Sequence, residues 1–324
     1  MSERLRELAA RVASELAARD LGSRQGAPPE KEDNAAASIL SHLPVAAAIG
    51  PSPENGSPSA SHRPRLDGRA ERITDFIDHT LLKAEATHAD IDALCQEARE
   101  QRFAAVCVNP VWVPHCATAL GGSGVGLATV VGFPLGASAS RIKQNEAALA
   151  VDQGATEIDM VAAIGHIKGG DWRHVADDIT AVVRGSGGRL VKVIIESAVL
   201  TPVEIIKASA LAKECGAHFV KTSTGFHPAG GASAEAVALM RLVVGDALGV
   251  KASGGVRDCS TALRMIASGA TRIGTSSGVA MAECIGKGPL PLSEILSLSQ
   301  AHGASCTHCQ SPVRPGPSGE PSSY

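Results

Sequence analysis

Between residues 71 and 300 the chain keeps alternating two patterns, and that alternation constrains its fold more than any other feature. Short apolar runs rich in β-branched residues are followed by longer stretches with helical spacing. The strand-like runs are "FIDHT" (76–80), "AAVCVNP" (104–110), "VGLATVVGFP" (125–134) and "TEIDMVAAI" (156–164). They continue with "RLVKVIIES" (189–197), "HFVKTSTGF" (218–226), "GVKASGGV" (249–256) and "TRIGTSSG" (271–278). Between them lie helical patterns such as "HADIDALCQEAREQR", "RIKQNEAALAVDQG", "PVEIIKASALAKECG" and "CSTALRMIASG". Several end in Gly, a helix stop signal. This count, in a body of that length, fits an α/β fold of the (β/α)8 TIM-barrel type. A doubly wound open sheet is the structural alternative. The strand count, and the polar residues gathered near strand ends, favour the barrel.

Residues along a barrel strand alternate between the helix layer and the interior. Placing Ile77, Val106, Val108, Ile158, Met160, Val191, Val193, Ile195, Val220 and Val250 outward turns Asp78, Cys107, Asp159, Lys192, Glu196, Lys221, Ser223, Lys251 and Ser253 inward. Lysines and carboxylates then share one interior. They form either an ionic plug or a reactive site. Buried pairs stabilise poorly beside apolar packing, and three lysines make an odd core, so a site is the better reading.

Lysines placed this way have a specific chemistry. Burial beside another cation disfavours the ammonium and leaves a nucleophilic amine. Such an amine forms a Schiff base with a carbonyl, and the iminium then serves as an electron sink for making or breaking a carbon–carbon bond. Lys221 and Lys251, on neighbouring strands, are the candidate pair, and Asp159 is the candidate proton carrier. Glycines follow these strands in "STG", "SGG" and "GTSSG", the last leading into an expected short helix, "VAMAEC". Loops after the last barrel strands commonly hold phosphate on backbone N–H groups. Ser276 and Ser277 add hydroxyls there.

Composition excludes other classes. The net charge of −3 and an aromatic content of 2% leave no case for nucleic acid. No apolar run is long enough to span a membrane. The charged N-terminus lacks a signal-peptide core. The eight cysteines lie mostly in apolar segments, which points to reduced thiols and a cytosolic-type compartment.

The motifs "IDHTLLK", "AAVCVNP", "VVGFPLGA", "EIDMV", "VKVIIE", "FVKTSTGF", "VKASGGVR" and "TRIGTSSG" occur in that order. Together they closely resemble the deoxyribose-phosphate aldolase family, from about residue 72 to 283. The resemblance implies a TIM barrel that reversibly cleaves 2-deoxy-D-ribose 5-phosphate to D-glyceraldehyde 3-phosphate and acetaldehyde, with no metal or organic cofactor. It implies Lys221 as the Schiff-base residue, Lys251 as its cationic partner and Asp159 as proton donor and acceptor. Lys192, Asp78 and Cys107 are implied to line the site. Gly225, Gly254, Gly255, Gly274, Ser276 and Ser277 are the implied phosphate contacts. One loop, "STGFHPAGGAS", departs from the family pattern by carrying His227 and Ala229 where related sequences often have glycine. His227 either meets the phosphate or simply occupies the loop. Two other readings stay open: a different Schiff-base aldolase or transaldolase, and a non-catalytic cargo or scaffold protein.

The expected organisation is an amphipathic helix at 1–20, a Pro/Gly/Ser/Ala-rich linker at 21–70, the barrel domain at 71–302 and a disordered tail at 303–324. Leu5, Leu8, Val12 and Leu16 share one face of the first segment. So short a helix needs a partner surface. The arrangement resembles encapsulation peptides that dock on bacterial microcompartment shell proteins. Self-association and docking on the barrel are the alternatives. A homo-oligomer, dimer or larger, is expected. Cys306 and Cys309 form one CxxC flanked by His302 and His308, read as free thiols of the tail rather than a metal site.

Overall fold

The computed structural model describes residues 70–286, together with 288–291, 293, 294 and 297. The expectations for 1–20, 21–69 and 303–324, including Cys306 and Cys309, lie outside the described residues.

Eight parallel strands close into a barrel in sequence order. They are β1 (Ile77–Leu81), β2 (Ala105–Val108), β3 (Gly126–Val131), β4 (Glu157–Val161), β5 (Leu190–Ile194), β6 (Phe219–Lys221), β7 (Gly249–Ser253) and β8 (Arg272–Thr275). β8 pairs back onto β1, with Ile77 opposite Ile273 and Asp78 opposite Gly274. Closure rules out the open-sheet alternative. A short antiparallel ribbon, Ala70–Glu71 with Leu290–Pro291, stands apart from the barrel sheet.

The helices are α1 (His88–Gln101), α2 (Val113–Ala119), α3 (Ser140–Asp152), α4 (Ile164–Gly169), α5 (Trp172–Gly185), α6 (Pro202–Glu214), α7 (Ala234–Val244), α8 (Cys259–Ala267) and α9 (Gly278–Ile285). Their starts follow ordinary capping chemistry. Thr87 and Asp90 make reciprocal hydrogen bonds at α1, as do Thr201 and Glu204 at α6, where Pro202 takes the first helical position. The glycines expected to stop helices, Gly154, Gly216 and Gly269, all have positive φ.

The core divides as the strand alternation predicts. Ile77, Val106, Val108, Ile158, Met160, Val191, Val193, Ile195, Val220 and Val250 pack with the helices in one continuous cluster. A separate small cluster inside the barrel holds Leu82, Cys107, Ala128 and Val130, with Phe133 against it. The remaining interior is mostly ionic, with Ile194 and Phe219 buried beside the charges. No helix among the described residues is long and apolar enough to cross a membrane.

Candidate active site

The strand register sets the site. Lys192 stands opposite Asp159 across the β4–β5 ladder, and Lys221 stands opposite Lys251 across β6–β7. All four side chains point inward, and all are buried. Asp159 is their shared partner. Its Oδ1 accepts a hydrogen bond from Lys192 Nζ at 2.6 Å. Its Oδ2 accepts from Lys221 Nζ at 2.8 Å and from Lys251 Nζ at 2.7 Å.

Beneath these four residues lies a second layer, drawn from the starts of the "EIDMV" and "TRIGTSSG" runs. Arg272 donates through Nε to Asp78 Oδ1 at 2.5 Å and through a terminal nitrogen to Glu157 Oε2 at 2.9 Å. Lys192 also meets Glu157 at 2.5 Å, and Lys251 pairs with Asp78. Glu157 lies two residues before Asp159 and Arg272 two before Gly274, so the same alternation points both inward.

Burial alone would push the Asp159 carboxyl up, but Lys192, Lys221 and Lys251 outweigh it and hold the group well below the ordinary carboxylate value. Asp78 and Glu157 are lowered in the same way, with Arg272 the largest opposing influence on each. Burial pulls Lys251 down, yet Asp159 and Asp78 more than restore it, and it ends above the ordinary lysine value. Lys192 is likewise raised, with Asp159 and Glu157 overcoming burial. The expectation that crowding would disfavour the ammonium therefore does not apply to Lys251, whose ammonium is favoured by its two carboxylates.

Lys221 differs in its contacts. It pairs with one carboxylate among the described residues, whereas Lys251 pairs with two and Lys192 with three. It is 3% exposed, while Lys192 and Lys251 are at 0%. An amine that forfeits one shared ion pair on losing its proton is the least costly to use as a nucleophile.

Cys107 sits in the apolar part of the interior. Burial, followed by Asp159, raises its thiol above the ordinary value, so it packs as a neutral group. The hydroxyls of Ser223 and Ser253 are buried with no hydrogen-bond partner among the described residues. They are donors left for a ligand.

The glycines converge at the open ends of β6 and β7. Gly225, Gly254 and Gly255 all have positive φ. A Cβ on Gly254 would lie 3.0 Å from Gly231 Cα and 3.4 Å from Gly225 Cα, so three turns touch through bare backbone. Gly274 is placed differently. It lies within β8, where a Cβ would stand 3.0 Å from Lys251 Cε. Ser276 is exposed, and Ser277 takes the N-cap position of α9, the expected short helix, with no side-chain bond to the helix. His227 Nδ1 accepts a hydrogen bond from the Ala229 N–H at 3.1 Å, which ties that ring to its own loop.

His166, Asp171 and His174 form a surface grouping of metal-ligand types. Their imidazoles stack at 3.6 Å and 14°. Nitrogen lone pairs lie in the ring plane, and two nearly parallel planes cannot both contain one ion.

The model for the DeoC/LacD family of aldolases matches residues 73–283, a span that holds the whole barrel sheet and every ionic residue above. The chain belongs to this aldolase family. It is 55% identical over 208 residues to the deoxyribose-phosphate aldolase of Streptococcus uberis, a match covering 64% of this chain and 94% of that protein. It is 54% identical over 209 residues to the Brevibacillus brevis deoxyribose-phosphate aldolase, with the same coverage. Among solved structures, the tetrameric deoxyribose phosphate aldolase of Aeropyrum pernix superposes with a TM-score of 0.62 at 31% identity, covering 66% of this chain and 90% of that one. In this DeoC/LacD aldolase the aligned part is the barrel, and the first 72 residues precede it.

Proposed function

We propose that this aldolase reversibly cleaves 2-deoxy-D-ribose 5-phosphate to D-glyceraldehyde 3-phosphate and acetaldehyde, with Lys221 as the Schiff-base residue. The observation that carries the reading is the Lys221–Asp159–Lys251 arrangement, in which one carboxylate oxygen faces both amines. Neutral Lys221 attacks the C1 aldehyde of the open-chain sugar, and the carbinolamine loses water to give an iminium. Removal of the C3 hydroxyl proton breaks the C2–C3 bond, releasing D-glyceraldehyde 3-phosphate, and the bond electrons form an enamine on C2. Protonation at C2 and hydrolysis then free acetaldehyde and return Lys221. Asp159 Oδ2 carries protons between the reacting centre and Lys251. Lys251, held by two carboxylates, is the cation of the pair when Lys221 attacks as the amine, and it lends and recovers its proton through Asp159.

Lys192, Asp78 and the two residues beneath them, Glu157 and Arg272, hold Asp159 in place, and Cys107 lines the apolar wall. The turns at Gly225, Gly254 and Gly255, with Ser276 and Ser277 at the start of α9, cradle the phosphate. Gly274 is the phosphate residue with the least support, because its strand position packs against Lys251.

Incubation with acetaldehyde and borohydride should leave a reduced two-carbon adduct on Lys221, located by peptide mass spectrometry. Lys221→Ala should lose the adduct and at least about 10³-fold in kcat. Labelling of Lys251 or Lys192 in place of Lys221 would overturn the assignment. Release of a three-carbon ketone instead of acetaldehyde would move the enzyme to another Schiff-base class, and absence of any turnover would restore the scaffold reading.

The proposal extends to residues 1–20. The apolar stripe read there supports docking on a microcompartment shell protein inside the cytoplasm, where a shell would retain volatile acetaldehyde. Deleting 1–20 should leave turnover intact and abolish co-purification with the shell; retained co-purification would sink the idea. A homo-oligomer is proposed alongside, supported by the tetrameric Aeropyrum relative, and sedimentation equilibrium tests it.

A further inference from the structure

Glu196 follows β5 and is one of two non-glycine residues with positive φ among the described residues, at φ 54° and ψ 58°. Left-handed backbone is disfavoured for a residue with a long side chain, and it persists where the surroundings over-determine it. The side chain is buried, at 1% exposure, and makes no ion pair among the described residues. Its carboxylate instead takes both donors of a single residue. The Thr224 N–H donates to Oε1 at 3.2 Å and to Oε2 at 3.3 Å, and the Thr224 hydroxyl donates to Oε2 at 2.6 Å. The Thr224 oxygen accepts in turn from the Phe226 N–H at 3.1 Å. These bonds bracket Gly225, the first glycine of the cradle, which lies shortly after Lys221 in the chain. The neighbouring backbone joins in, with the Ser197 N–H donating to Thr222 O at 2.7 Å.

We propose that Glu196 is a positioning residue that fixes the Thr224–Phe226 turn, and through it the Gly225 N–H, for the substrate's phosphate group. The inference rests on the aldolase reading of the site. A buried carboxylate with two donors from one threonine and no cation is costly to bury. Its geometry explains the cost: both carboxylate oxygens accept from Thr224, and a glutamine, with one neutral acceptor oxygen in place of two charged ones, holds the turn more weakly.

The test compares the full chain with Glu196→Gln, Thr224→Ala and Thr224→Ser, using 2-deoxyribose 5-phosphate and unphosphorylated 2-deoxyribose as substrates. For Glu196→Gln, KM for the phosphorylated sugar should rise about 10-fold or more. For the same variant, kcat/KM for the unphosphorylated sugar should change less than about threefold, and borohydride trapping at Lys221 should persist. Thr224→Ala should reproduce that pattern and Thr224→Ser should restore it. The double variant Glu196→Gln/Thr224→Ala should lose no more than the worse single variant. Equal loss on both sugars, or loss of trapping at Lys221, would overturn the proposal and make Glu196 a part of the fold or of the lysine site. A parent chain inactive on both sugars would overturn the aldolase reading, which the parent measurement reports separately. If folding of Glu196→Gln is impaired, Thr224→Ser against Thr224→Ala separates the same outcomes.

Discussion

At Gly274 the backbone passes so close to Lys251 that any side chain would occupy the lysine's path. A Cβ there would stand 3.0 Å from Lys251 Cε and collide with Ser253 Oγ. Gly274→Ala should therefore displace the Lys251 amine from Asp159 and lower kcat by about 10- to 100-fold, since a displacement near 1 Å is enough for such a loss. Borohydride labelling of Lys221 should remain. Steady-state kinetics beside trapping checks this, and an unchanged kcat would show that the strand yields without moving the lysine. At this scale much of the site was legible. Asp78, Asp159, Lys192, Lys221 and Lys251 face inward because strand alternation is a rigid rule. Glu157 and Arg272 obey the same rule and stand inside "EIDMV" and "TRIGTSSG", yet were missed, because in those runs Asp159 and the glycine and serines that follow are what reads as chemistry. Their pairing joins residues 115 apart in the chain, on opposite sides of the barrel, and no local pattern encodes it.

The strands themselves were legible in number and order, but their ends were not. "HFVKTSTGF" reads as one extended run, yet β6 stops at Lys221. Beyond it, side chains take over the ladder's work: Thr222 Oγ1 donates to Ser253 O and accepts from the Ser253 N–H, both at 3.0 Å. Such exchange depends on which loop lies alongside, which a single sequence does not state. The same turn carries Phe226, whose ring stands edge-on to Phe133 at 5.2 Å. Phe133 follows β3 and packs on the apolar interior cluster, so the pair links the ends of β3 and β6. An edge-to-face pair contributes about 0.5–1.5 kcal/mol beyond its burial. Phe226→Ala should release that link, raising KM for the phosphorylated sugar about three- to tenfold with kcat nearly unchanged. A fall in kcat with constant KM would mean that the aromatic pair serves the lysines rather than the phosphate turn.

Across the whole molecule, the ionic interior ties stability to pH on both sides. Asp78, Glu157 and Asp159 have folded values below their ordinary 3.8, 4.5 and 3.8. In a folded chain that binds protons less readily than the unfolded one, these groups contribute stability that is full above the unfolded values and lost as pH falls through the folded ones. The surface carboxylates Asp90 and Glu204 are lowered too, by bonds from Thr87 and, against partial burial, from Lys168, and act with the same sign. Lys192 and Lys251 are raised above 10.5, so their contribution is full below that value and is lost as pH rises through the folded values. The buried thiols of Cys107 and Cys215, raised above 9.0 by desolvation first, lose stability in the same direction and from a lower pH. Calorimetric Tm should thus hold a plateau from about pH 5 to about pH 8.5, fall on acidification below about pH 4.5, and fall again above about pH 9. Asp159→Asn strips three lysines of their shared partner and should cost about 3–5 kcal/mol at neutral pH. Because Asp159 is the largest influence raising Lys192 and Lys251, the variant should lose less Tm than the parent as pH rises toward about 10. A variant whose Tm falls in parallel with the parent across that range would show that Asp159 does not carry the charge balance of the barrel.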